Sequence, residues 1–278
     1  MGFTLEGLLG ALVLKEVGAG RYRAENVDTG HFVVFGGQLM AQSVVAALAG
    51  HEGKTAKTLH TVFARAGSPE APLDIEVDRL HSGRALASST VTIRQGDRLC
   101  TRSLVLLSAD EPDVIRHADP PAVRSSPAEA SDRSPEESGG WEVRVVGGVD
   151  IDDPDAVGPA ELDVWTRFAG APDHPGTSQA LLAFATDGFL IGTAMRPHKG
   201  VGQALSHKTF STGVLSHTIT FHEPFSAAEW LLLSHRSPYA GRGRGYGRAD
   251  VFREDGRLVA SFVQDNMIRP MPERSSAL

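Results

Sequence analysis

The 278-residue chain is almost without cysteine: Cys100 stands alone. It cannot close an internal disulfide, and no C-x-x-C or paired Cys/His spacing offers a structural metal site. A reducing, cytoplasmic setting is the expectation. Cys100 falls in an apolar-alternating run and reads as a packed thiol. Basic charge is not in excess either. The 27 Lys and Arg face 34 Asp and Glu, a formal net charge of −7, which argues against a nucleic-acid partner. One anionic small ligand held by a local group of arginines stays compatible with it. No apolar run approaches the ~20 residues of a membrane-spanning helix. The apolar stretch 8–14 has no basic residue before it and no small-residue cleavage site after it, so a signal peptide is not expected. Met1-Gly2 is followed by Glu6 where myristoylation favours Ser or Thr. The G-x-S-x-G elbow of serine hydrolases and the H-E-x-x-H pair of zinc hydrolases are both missing. His217 and His222, five apart on one apparent strand, should face opposite sides.

What remains is a globular composition, 41% hydrophobic and 22% charged, enough for a packed core without staples. Residues 108–141 carry five prolines and many Ser, Asp and Glu without apolar periodicity, and read as a linker. The expected division is 1–110, a linker over 111–140, and 141–278. The first part opens with a short helix and a strand (13–24). Phe35-Gly36-Gly37 forms a turn and residues 38–48 a buried helix. Strands follow at 58–65, 73–81, 85–95 and 98–107, the last two joined at Gly96-Asp97. The second part repeats the order. Strands 141–149 and 162–168 come first, then a turn at His174-Pro175-Gly176. A helix at 177–186 is capped by Thr177 or Ser178. Strands 214–222, 230–237, 245–253 and 257–268 follow, the last two joined at Asp255-Gly256.

The residues echo as well. Leu59-His60-Thr61-Val62-Phe63 parallels Leu215-Ser216-His217-Thr218-Ile219, and Gly96-Asp97-Arg98-Leu99 parallels Asp255-Gly256-Arg257-Leu258. Two copies of a helix followed by a four-strand antiparallel meander indicate an internal duplication. Each helix is apolar on most sides, as a sheet wrapped around it requires. The fold class is therefore α+β, two tandem hotdog domains, each an antiparallel sheet around a central helix.

Three stretches carry a family resemblance. Phe35-Gly36-Gly37-Gln38 enters an Ala-rich helix. Ser216-His217-Thr218-Ile219-Thr220-Phe221-His222 runs on to Pro224-Phe225 and Glu229-Trp230-Leu231-Leu232. The segment 242–247 is followed by Asp255-Gly256-Arg257-Leu258-Val259-Ala260-Ser261 and Gln264. Together these resemble the type II acyl-CoA thioesterases over nearly the whole chain outside the linker. The resemblance implies hydrolysis of acyl-CoA thioesters by a water molecule. That water is held by an Asp at the second helix, a hydroxyl on the next strand and a Gln on the last strand. Asp187 takes the Asp place and Gln264 the Gln place. The hydroxyl place falls on Val214, a departure from the family. Losing one water-positioning hydrogen bond, about 1–3 kcal/mol, slows chemistry by roughly 5- to 150-fold. Val214 and Ser216 are expected on one face and Thr212 at or beyond the strand's start, so neither Thr212 nor Ser216 is assigned the role. The resemblance implies no cofactor beyond the coenzyme A of the substrate, no metal, and a homo-oligomer paired through its sheets.

Read from the residues, Asp187-Gly188 is either an exposed helix-ending turn or a carboxylate facing a cleft. At a helix C-terminus the dipole disfavours the anion. Gln264 either lies on an exposed strand face or donates to water or carbonyl. Gly36 and Gly37 serve a tight turn, or let backbone N–H groups at 37 and 38 meet an oxyanion. Substrate contacts are thus sought at Gly36, Gly37 and Gln38. His60 and His217 read as matched strand histidines, structural or proton-shuttling. Arg242, Arg244 and Arg248 are loop charges or contacts to coenzyme A phosphates. A hotdog hydratase would need an Asp and a His five residues apart around Asn-Pro, which is not found. The competing class is a non-catalytic or weakly active acyl-CoA binder, which Val214 makes credible.

Overall fold

A computed structural model of the protein describes residues 3–121, 125–134 and 139–271. Met1-Gly2, parts of the expected linker (122–124 and 135–138) and residues 272–278 of the expected second domain lie outside the described residues. The first half runs α1 (Leu5–Ala11), β1 (Lys15–Gly18), β2 (Arg21–Ala24), α2 (Gly36–Leu48), β3 (Lys54–Phe63), β4 (Leu73–Ser82), β5 (Leu86–Gln95) and β6 (Arg98–Ala109). The second runs β7 (Ser131–Asp132), β8 (Trp141–Val145), β9 (Glu161–Phe168), α3 (Pro175–Ala185), α4 (Leu190–Met195), β10 (Phe210–Phe221), β11 (Leu231–Gly241), β12 (Arg244–Arg253) and β13 (Leu258–Pro270). The single strand expected over 13–24 is a hairpin, because Gly20 at φ +66° turns the chain back. Within 111–140, a turn at Pro127–Glu129 is fixed by a Ser126/Glu129 capping box, and β7 pairs with β8.

The strands form one antiparallel sheet in the order β1-β2-β4-β5-β6-β3-β10-β13-β12-β11-β9-β8-β7. The expected four-strand meander is corrected by this order. Three strands meander, and the first of each set, β3 or β10, crosses to lie beyond the last. The nine-residue links 64–72 and 222–230 explain it, since tight hairpins close in about two to five residues. The crossover brings β3 and β10 side by side, with Thr61 opposite His217, so the halves share one sheet. It is a double hotdog.

Both long helices lie on one face of that sheet and pack against each other. α2 is buried from Gly37 to Ala47 save for Val45, because α3 and strands β3–β6 enclose it. Its buried amides anchor the N-terminal segment: Gln42 Nε2 donates to the carbonyls of Ala11 (2.9 Å) and Glu25 (3.2 Å). α3 starts earlier than expected. Pro175 occupies its first turn, and His174 Nδ1 accepts from Thr177 N at 3.3 Å, in place of a Thr177 or Ser178 cap. Ser178 is buried and accepts instead from Ala227 N (3.1 Å). One apolar core joins Met40, Val44, Leu59 and Val105 of the first half to Leu181, Phe184, Ile219 and Phe262 of the second.

Candidate active site

Asp187 stands where the two halves meet. α3 ends at Ala185, Thr186 caps it, and Asp187 follows before the short α4. Its Oδ2 accepts a hydrogen bond from Gly37 N at 2.9 Å, in the first turn of α2. The unfavourable end of its own helix is thereby countered by the positive end of the other. Part of Asp187 remains at the surface, yet Oδ1 is shut from solvent and has no partner. Burial pushes the carboxyl up to about 7 from its ordinary 3.8, and the Gly37 N–H holds it lower than burial alone would. The approach demands glycine. A Cβ on residue 36 would lie 2.8 Å from Asp187 Oδ2 and 2.9 Å from the Phe63 ring. A Cβ on residue 37 would run into the carbonyl of Phe184.

Gln264 lies on β13, buried, pointing to the helix side. Its Oε1 shares a 2.9 Å hydrogen bond with His217 Nδ1, and its Nε2 donates to Asn266 Oδ1 at 2.6 Å. His217 Nε2 shares a 3.2 Å bond with Thr186 Oγ1. The imidazole stacks on Phe262, and burial depresses it to about 4, so it is neutral at neutral pH. Thr186, His217, Gln264 and Asn266 thus form one buried polar chain that starts at the residue before Asp187. The sequence reading assigned no role to Thr186 or Asn266. The signal for Asn266 was there: polar side chains at 264 and 266 of an apolar strand share a face.

The first half holds a reduced copy of this chain. Thr61 Oγ1 shares a 2.8 Å bond with Ser103 Oγ, which donates to Ser43 Oγ at 3.3 Å. Thr61 pairs with Ser103 in register as His217 pairs with Gln264, but Ser43 lies mid-helix in α2, and aligning the N-caps Phe35 and His174 sets Thr186 against Ala47. The same alignment sets Asp187 against Leu48, whose side chain crowds Gly176 at the start of α3 as Asp187 crowds Gly36 at the start of α2. One half therefore carries hydroxyls without an acid.

Strand β10 departs from its expected geometry. A bulge at Leu215 breaks the register between Val214, opposite Asn266, and Ser216, opposite Asp265. Val214 and Ser216 accordingly face opposite sides, which corrects their expected shared face. Ser216 Oγ donates outward to Asp265 Oδ2 at 3.1 Å. Thr212 lies inside β10, opposite Ile268, buried and on Val214's face, which corrects its expected place at or beyond the strand's start.

Other candidates sit elsewhere. The Gly37 N–H is occupied by Asp187, and the Gln38 N–H donates to Phe35 O at 3.1 Å. Neither is open to a substrate oxyanion. The Gln38 side chain faces the core, accepting from Val27 N and donating to Asn26 Oδ1. His60 is not the match of His217. It is exposed on the opposite sheet face, bound to Thr218 Oγ1 at 2.7 Å, because odd and even strand positions alternate. Arg242 occupies the β11–β12 turn at φ +56°. Arg244 borders a cavity of about 260 Å³ lined by Ala194, Met195, Phe210 and Ile268. Neither arginine touches Asp187 or the Gln264 chain, and Arg248 is exposed on β12.

A family model described as acyl-CoA thioesterase N-terminal domain matches residues 23–108, and one described as acyl-CoA thioesterase C-terminal domain matches 117–268. The chain belongs to the type II acyl-CoA thioesterases. It is 27% identical to acyl-CoA thioesterase 2 of Haemophilus influenzae over 97% of this chain and 99% of that one. It is 26% identical to acyl-coenzyme A thioesterase 8 of Mus musculus, over 88% and 82%. The crystal structure of acyl-CoA thioesterase II TesB2 from Mycobacterium marinum superposes with a TM-score of 0.80 at 25% identity, covering 96% of this chain and 99% of that one. A tesB protein of Mycobacterium avium subs paratuberculosis shares the fold, with a TM-score of 0.81 at 24% identity over 96% and 100%. Among the described residues Asp187 is the carboxyl that burial raises to about 7.

Proposed function

We propose that this thioesterase hydrolyses acyl-CoA by direct attack of water, with Asp187 as general base. The observation that carries the reading is the Asp187 carboxyl: dry, one oxygen unpartnered, and poised near 7. A base with that affinity is half ionised at neutral pH and accepts a proton without a large uphill step. Water gives its proton to Asp187 Oδ1 as its oxygen bonds the thioester carbon. A tetrahedral intermediate forms, its negative charge on the former carbonyl oxygen. The C–S bond then breaks, the acid leaves, and the proton on Asp187 passes to the coenzyme A sulfur. Gln264, held by His217, orients the water or the carbonyl.

Arg242 and Arg244 are suited to the phosphates of coenzyme A, with the apolar cavity beside Arg244 next to them. Coenzyme A arrives as part of the substrate, and the chemistry calls on no other cofactor and no metal. No helix among the described residues is long and apolar enough to cross a membrane. We place the enzyme in the cytoplasm, in fatty acid metabolism, with Cys100 a buried free thiol. Val62, Leu104 and Leu106 are 47%, 50% and 37% exposed on the outer sheet face beside His60, which supports a homo-oligomer through that face.

Val214 favours a second reading, an acyl-CoA binder with little turnover. A thiol-release assay over short, medium, long, branched and aromatic acyl-CoAs separates the two. Turnover with at least one class, lost in Asp187→Asn, supports hydrolysis. Tight binding without thiol release supports the binder, and an Asp187→Asn protein with full turnover rules the mechanism out.

A further inference from the structure

We infer that Asn266 is a catalytic residue of this chain, its side-chain amide holding the attacking water in place of the hydroxyl missing at Val214. The inference rests on the hydrolytic reading of Asp187 given above. Asn266 is fully buried, on the same face of β13 as Gln264. Its two cross-strand partners are Val214 on β10 and Gly245 on β12. One is apolar and the other has no side chain, so neither offers Asn266 a side-chain hydrogen bond.

The polar chain from Thr186 is closed at one end and open at the other. Thr186 Oγ1 donates to Ala183 O at 2.9 Å. At the far end Asn266 Oδ1 accepts from Gln264, and Asn266 Nδ2 is buried without a partner. Burying an unpaired amide atom is costly, and such an atom inside a reaction cleft calls for a ligand. Amide orientations follow the direction of the network. The hydroxyl of Thr186 has a single proton. With that proton on Ala183 O, His217 Nε2 donates to Thr186, Gln264 donates to His217, Asn266 donates to Gln264, and Asn266 Oδ1 becomes the open atom. In either direction the open atom belongs to Asn266. A water molecule both donates and accepts, so it fits either case.

The neighbours place this atom in the right cleft. Phe63 crowds Gly36 beside the Asp187 carboxylate. Phe63 follows Val62, the cross-strand partner of Ser216, so it lies alongside the β10 bulge that carries Val214. Asn266 is the next residue across the sheet from Val214. Asp187, Gly36, Phe63, Val214 and Asn266 thus follow one another from the seam to β13. A water there gives one proton to Asp187 and meets Asn266 with its remaining hydrogen or with a lone pair, which aims its other lone pair at the thioester carbon.

The test is steady-state kinetics on the full chain with its best acyl-CoA substrate. Asn266→Ala is expected to lower kcat at least tenfold with KM within about twofold. Val214→Thr in the Asn266→Ala background is expected to regain fivefold or more, whereas Val214→Thr alone changes kcat by less than about threefold. Thr212→Val is expected to leave kcat unchanged. Should Asn266→Ala fail to fold, Asn266→Leu, of matching size, gives the same readout. Unchanged kcat in either variant overturns the proposal. A loss of kcat that Val214→Thr does not rescue also overturns it, because Asn266 then acts only by bracing Gln264. Asp187→Asn separates the two layers. If it keeps full turnover, the hydrolytic reading itself falls. If it is inactive while Asn266→Ala is not impaired, only the Asn266 assignment falls.

Discussion

Thr61 on β3 and His217 on β10 are direct cross-strand partners at the seam of the two halves. Each is buried and each belongs to a polar cluster, but only the His217 cluster ends, at Thr186, beside a carboxylate residue in the chain. The Thr61 cluster is therefore structural. Replacing Thr61 with Val and Ser103 with Ala together is expected to leave kcat within twofold. Two buried hydrogen bonds are lost, at about 1 kcal/mol each, with a matching fall in thermal midpoint. Equal loss of activity in this variant and in Asp187→Asn would show two sites per chain.

Gly37 is fixed by contact rather than by φ. Gly37→Ala sets a methyl against the Phe184 carbonyl and the Phe35 ring, and the carbonyl is backbone within α3, which cannot swing aside as a side chain can. Such overpacking costs about 1–3 kcal/mol. The displaced α2 terminus also pulls its N–H from Asp187 Oδ2. The expected result is a kcat at least 100-fold lower in a protein that still melts cooperatively, read by thiol release and circular dichroism.

The pH profile follows from two groups with separate ranges. Asp187 has to be ionised to take a proton, and its carboxyl sits at about 7. The value of kcat/KM is expected to fall about tenfold per pH unit below that point and to level off above it. His217 stays neutral down to about 4, so it adds no second limb near neutrality. A kcat/KM flat from pH 5 to pH 9 would assign the base elsewhere.

Asp187 shows where sequence legibility ended. The helix and strand periods of 38–48, 73–81 and 98–107 are local properties, and so are the turns at Gly96-Asp97 and Asp255-Gly256. All of these were readable. Gln264 was readable as a polar break in an apolar strand. The dryness of Asp187 was not, because Gly37, 150 residues away in the chain, supplies its hydrogen bond. The bulge at Leu215 left no trace in composition, and it decides that Val214 and Thr212, rather than Ser216, face the helices. The crossover of β3 and β10 was hidden because alternation fixes which face a side chain takes but not which strand lies beside it. α4 is six residues long, too short for a helical period to show.

The same burial that tunes Asp187 weakens the fold. Its carboxyl is raised from 3.8 in the unfolded chain to about 7 in the folded one, so folding favours the protonated form. The associated stability is complete below pH 3.8 and is lost as pH rises through 7. The loss reaches about 4 kcal/mol. Asp187→Asn carries no proton to lose. It is expected to melt several degrees above the parent protein at pH 8, with the gap shrinking to roughly 40% of that value near pH 5 and closing only below about pH 4. A constant gap across that range would show that the carboxyl is not buried in solution.

Oligomeric state tests the outer face. Leu104 lies opposite His60, Leu106 opposite Thr58, and Val62 on the same side, forming an apolar strip on the sheet surface away from both helices. A sheet face this apolar is stabilised by a second layer. Leu104→Glu sets a charge at the middle of the strip, which two facing copies could bury only at a cost of several kcal/mol. Light scattering is expected to show the parent protein as a multimer and Leu104→Glu at the mass of one chain. Asp187, Gly37 and the Gln264 network all come from a single chain, on the opposite face of the sheet from Leu104. The dissociated variant is therefore expected to keep most of its kcat. A Leu104→Glu protein that stays assembled would move the interface to another surface, and one that dissociates and loses turnover would mean that the neighbouring copy completes the site.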